Sequence, residues 1–177
     1  MRIWLALLVA VSITVSAALA TSRQESNTSK IARALSAGPV PIRAGATVIW
    51  IADDGKVTTL RKGTNGWTCG VGTKGEVGAD PFCGDAAAMQ WANDWMTHKP
   101  KPTNTVPGIM YMLAGARDWS ATDPYATKGK PIVEPPHWMI LYPFGKASAL
   151  PTGVKMNGTS IMWAGTPYAH LMINQVP

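Results

Sequence analysis

The same tripeptide pattern occurs twice near the C-terminal end, as His137-Trp138-Met139 and His170-Leu171-Met172. In an extended strand residues i and i+2 point to one face, so each copy offers an imidazole and a thioether side by side. Imidazole and thioether together form a soft donor set suited to copper, above all Cu(I). His137, Met139, His170 and Met172 are therefore candidate metal ligands, provided the two strands pair with these faces aligned. Met110, Met112 and Met162 lie in neighbouring strand candidates and would enrich the same surface. The same residues also fit a plain core, where methionine fills gaps and a strand histidine is hydrogen-bonded. A one-residue slip in pairing would send the two histidines to opposite faces.

Other chemistry is thinly supported. The chain lacks a G-x-S-x-G elbow, a phosphate-binding loop and a dinucleotide fingerprint. Asp118, Asp123 and Glu134 precede His137 and could orient an imidazole, which leaves a hydrolase of unknown class with His137 or His170 as base as the weakest reading. Gly70, Gly72, Gly75 and Gly78 are too irregular for a phosphate cradle. The only two cysteines, Cys69 and Cys83, have neither CxxC spacing nor a nearby histidine, so a disulfide is expected rather than a nucleophile.

Ala46–Ala52 and Lys56–Arg61 are strand-like, and Asp53-Asp54-Gly55 and Asn65-Gly66 mark turns before Trp67-Thr68-Cys69. The pattern predicts an N-terminal meander. Residues 85–97 (DAAAMQWANDWMT) form the clearest helix, with Asp85 as its cap and Pro100 beyond its end. Further strands are expected over 108–115, 137–144, 159–165 and 167–174. The fold class is thus α+β: a mainly antiparallel sheet of about six strands with one well-defined helix near 85–97.

The front of the chain supplies the compartment. MRIWLALLVAVSITVSAALA combines Arg2, an apolar run and a small-x-small end, the pattern of a secretory signal cut before Thr21. Retention as an anchor is the alternative, since the run approaches spanning length. The expected organisation is a signal peptide at 1–20, a spacer and lead-in at 21–45, and a single α+β domain at 46–177. The formal charge is +6, one unit of which is Arg2. Lys99, Lys101, Lys128 and Lys130 lie in Pro-flanked loops without the aromatic interleaving of a nucleic-acid binder. The expected partners are a small ligand or an envelope component, with no nucleic acid and no stable membrane insertion after cleavage. No cofactor is expected beyond the copper alternative.

Seven phrases recur to a common effect: 32–37 (ARALSA), GTNGWTC (63–69), WANDWM (91–96), YMLAG (111–115), DPYAT (123–127), PHWMI (136–140) and GTPYAHLMI (165–173). Together they resemble a family of small exported bacterial proteins without an established function. The resemblance implies a bacterial, periplasmic or secreted domain and assigns no catalytic residue. The expectation is a noncatalytic periplasmic domain that binds a small ligand or an envelope component.

Overall fold

The computed structural model describes residues 24–142, 151–153 and 158–174. The expected signal segment 1–20 and most of the 143–157 connection lie outside the described residues. The fold is α+β. Its strands are β1 (Thr47–Ile51), β2 (Val57–Arg61), β3 (Thr68–Val71), β4 (Phe82–Gly84) and β5 (Gly108–Met112), then β6 (Ala116–Asp118), β7 (Ile132–Glu134), β8 (His137–Leu141), β9 (Gly158–Met162) and β10 (His170–Asn174). Eight of them make one sheet in the order β2-β1-β3-β4-β5-β8-β10-β9, and β6 and β7 form a separate ribbon. All pairs are antiparallel except β1 with β3.

That exception corrects the expected meander. After β2 the chain does not turn back beside it but crosses the start of β1 and emerges on the other side. The Arg61 guanidinium donates to the carbonyls of Arg43 (2.7 Å) and Ala46 (2.8 Å), and Thr64 N–H donates to Gly45 O at 2.7 Å. A Cβ at Gly63 would lie 2.1 Å from the Thr47 nitrogen, so only glycine lets the two backbones pass this closely. Local turn residues announce a reversal; these contacts decide its direction.

The cysteine expectation holds. Cys69 and Cys83 face each other across β3 and β4 and are joined by a disulfide. Both are fully buried, in a cluster with Ala34, Ala37, Val48 and Val71 beneath the first helix, α1 (Asn27–Leu35).

The lead-in is more ordered than its polar composition suggests. Helix α1 begins at Asn27, inside the stretch expected to be a flexible spacer, and is capped by the Ser26 hydroxyl accepting from Ser29 N–H. Its buried positions are Lys30 and Ala34. Lys30 lays its ammonium 3.4 Å from the centre of the Trp50 ring, so a lysine takes an inward position ahead of Ile31–Ala37, where the sequence offers two helical turns. A short helix, α2 (Val40–Gly45), follows and leads into β1.

The third helix, α3 (Ala86–Met96), matches expectation, with the Asp85 carboxylate accepting from Ala88 N–H at 2.8 Å. It packs over β4, β5 and β8 on the face opposite α1. A Cβ on Gly108 would sit 2.3 Å from the Ala88 nitrogen, so glycine there sets how near α3 lies to β5. Among the described residues no helix is long and apolar enough to cross a membrane.

Candidate functional site

The α3 face of the sheet carries both His-x-Met pairs. In β8 and β10 the buried residues alternate, and Met139 stands directly opposite Met172, so all four candidate ligands share one face. Met110 on β5 extends the row, because it pairs with Met139. The histidines, however, do not meet. His137 lies opposite Asn174, two positions to one side of the Met139–Met172 pair, and His170 lies two positions to the other side. Four strand steps, roughly 13 Å, separate their positions along the sheet. Each ring is also tied to the carbonyl two residues upstream: His137 Nδ1 to Pro135 O at 2.8 Å and His170 Nδ1 to Tyr168 O at 2.9 Å. The register thus pairs Met139 directly with Met172 and sets the two histidines at separate positions along the sheet. Among the described residues no group of three or more His, Cys, Asp or Glu side chains is placed to hold a metal ion.

Both histidines are buried and neutral. Burial lowers the His170 pKa to about 4, against the opposing effect of the Tyr168 carbonyl. Burial likewise lowers that of His137. With Nδ1–H donating to a carbonyl, each Nε2 carries the lone pair. His137 has no exposed surface, which denies a substrate access to its ring.

Between this face and α3 lies a cavity of ≈ 140 Å³. The sheet contributes Phe82, Met110, Met112, Met139 and Met162; α3 contributes Trp91, Ala92, Trp95 and Met96. Trp163 and His170 complete the apolar wall. Trp163 stacks on Trp91 with ring centres 6.0 Å apart and planes 6° from parallel, and His170 meets both rings edge-on at 5.0 and 5.2 Å. Trp163 adopts φ +53°, a left-handed backbone that is costly for a bulky residue. Its N–H donates to Ala121 O at 2.9 Å and its indole N–H to Ser120 O at 3.0 Å, which hold it there. The cavity adjoins a wider groove of ≈ 600 Å³ formed by Asp53, the 72–80 loop, Trp95 and Met96.

One end of the cavity is polar. Asp80, Arg117, Asp118 and Glu134 all line it. The β6–β7 ribbon brings Asp118 and Glu134 in, and the 72–80 loop is pinned to the ribbon through Arg117 N–H to Asp80 Oδ2 (2.7 Å) and Gly78 N–H to Arg117 O (3.0 Å). Glu134 is only 4% exposed, and its Oε1 has no hydrogen-bond partner. Burial, then the charges of Asp118 and Asp80, push its pKa up to about 8. Asp118 is raised too, chiefly by burial. Glu134 Oε2 lies 3.6 Å from His137 Nε2. At neutral pH that contact joins a protonated acid to a neutral imidazole and is no ion pair. A second orphan polar atom, the indole nitrogen of Trp91, belongs to another residue of the cavity wall.

From the sequence Asp118 and Glu134 read only as groups that could orient a histidine. The signal for Glu134 was slight: a lone acid between Val133 and two prolines. Lys99, one of the loop lysines, binds the fully buried Asp94 at 2.6 Å. Compared with known protein families, curated proteins and solved structures, the chain matches none.

Proposed function

We propose that this protein is an exported, noncatalytic binding domain whose ligand is a small molecule with an apolar body, seated in the cavity beneath α3. The observation that carries the reading is an apolar cavity of ≈ 140 Å³ whose wall includes two residues with buried, unpartnered polar atoms, Glu134 Oε1 and Trp91 Nε1. An apolar cavity of about 150 Å³ accepts a benzene-sized molecule, and unpaired buried polar groups are costly unless something completes them. The signal-like front and the disulfide support export, and the family resemblance supports a bacterial envelope setting. The test is a thermal-shift and tryptophan-fluorescence screen of monocyclic compounds against the mature protein. A ligand should raise the melting temperature and perturb Trp91 and Trp163, and Ala92→Leu, which fills the cavity, should weaken binding at least tenfold while keeping the fold. Unchanged binding in Ala92→Leu would overturn the location. Mass spectrometry of the secreted form should give a chain beginning at Thr21.

A second reading, copper binding, draws support from the register around His170. Met162 is its direct partner across β9 and β10, and Met139 and Met162 line the same cavity as the His170 ring. A Cu(I) site would rest on His170 with these thioethers, leaving His137 aside. Competition against a Cu(I) chelator decides it: His170→Ala should abolish binding and His137→Ala should not.

A further inference from the structure

We propose that the ligand of this cavity is an organic cation, an ammonium group on a ring-sized apolar body, with the charge held by Glu134 and Asp118 and the body by the tryptophan and methionine walls. The inference rests on the small-molecule reading above and names its ligand class.

Three carboxylates, Asp80, Asp118 and Glu134, converge at one end of the cavity. The cation among these neighbours, Arg117, is committed elsewhere. Its guanidinium donates to the carbonyls of Gly75 (3.1 Å) and Glu76 (2.9 Å) and approaches Asp80 at 3.5 Å. Asp118 Oδ1 accepts from Trp119 N–H at 2.6 Å and from Ser120 N–H at 3.4 Å. Glu134 is more than nine-tenths buried with Oε1 unpartnered, and the neutral His137 lies 3.6 Å from its other oxygen. Among the described residues, three acids thus share the single cation Arg117, which pairs with Asp80 alone. Trp91, Trp95 and Trp163 line the same cavity, and aromatic rings attract positive charge through their quadrupoles. A neutral apolar guest would complete the walls and leave the acid end unmatched.

Binding of such a cation favours ionised Glu134. The carboxyl O–H bond breaks, the proton passes to the buffer, and the carboxylate pairs with the ammonium. At pH 6.5, where Glu134 is protonated in the free protein, proton release should accompany binding.

Calorimetry on the mature protein with benzylammonium and its neutral counterpart benzyl alcohol, each in two buffers of different ionisation enthalpy, tests this. Benzylammonium should bind at least tenfold more tightly and release close to one proton at pH 6.5. Glu134→Gln should abolish the release and most of the preference, and Asp118→Asn should reduce the preference while keeping the release. Equal or tighter binding of benzyl alcohol would overturn the cation assignment and leave the small-molecule reading standing. Binding of neither compound would overturn both. A preference that survives in Glu134→Gln would remove Glu134 from the site.

Discussion

Glu134 is the residue whose titration tests the architecture most directly. Its pKa rises from 4.5 to about 8 on folding, because burial and the charges of Asp118 and Asp80 disfavour its ionised form. The folded chain therefore holds a proton that the unfolded chain has released. This contribution to stability is fully present below pH 4.5 and is lost as pH rises toward 8. One proton is worth about 1.4 kcal/mol per pH unit, so the loss between pH 4.5 and 8 amounts to about 4 kcal/mol. The buried histidines act in the opposite direction: both have lowered pKa values, and their contribution is lost as pH falls below 6.5. A single wild-type profile mixes the two effects. Glu134→Gln separates them, since glutamine keeps the shape and cannot ionise. Urea unfolding of both proteins at half-unit steps from pH 4.5 to 8 gives a difference curve in which the histidine terms cancel. The variant should gain on the wild type at about 1.4 kcal/mol per pH unit between roughly pH 5 and 7.5. A difference that is constant with pH would refute the burial of Glu134 among like charges.

Other expectations follow from single contacts. Reducing the Cys69–Cys83 disulfide, which closes a loop with a sequence separation of 14, should cost about 3 kcal/mol, read by urea unfolding with and without reductant. Gly108→Val places a side chain against the α3 backbone, which cannot retreat; it should cost about 3 kcal/mol or more and shift the thermal midpoint accordingly. Asp94→Ala removes the acceptor of Thr103 N–H (2.6 Å), Thr103 Oγ1–H (2.6 Å) and Lys99. A loss of about 3 kcal/mol is expected. Burial opposes ionisation of Asp94, yet hydrogen bonds from Lys99, Thr103 and Gln90 hold its pKa well below the usual carboxylate range. Its contribution should therefore be present above pH 4 and fade in acid, and Asp94→Ala should flatten that limb of the stability curve.

Much of the secondary structure was legible because its signals are local. Asp85 before a run of alanines fixes where α3 starts, and the β-branched and aromatic runs locate β1, β5, β8 and β10. The elements that escaped carry weak local signals. The three-residue strands β4, β6 and β7 are defined by their partners, and the start of α1, ahead of the helical turns legible at Ile31–Ala37, hides behind Lys30. The acid end of the cavity escaped for a related reason: Asp80, Asp118 and Glu134 are far apart in the chain and meet only when the β6–β7 ribbon packs against the 72–80 loop.

Local signals are enough for the α+β class, the pairing of the two cysteines, the α3 helix and the sharing of one side by His and Met within each His-x-Met strand. These follow from strand alternation, capping and cysteine count, which act over a few residues or need no partner. Long-range packing sets Met139 opposite Met172 and His137 and His170 at opposite ends of the row. It also decided that β3 runs parallel to β1 and that three acids close one end of a tryptophan-walled cavity. Register and convergence depend on which distant surfaces pack together, and no local pattern encodes that choice.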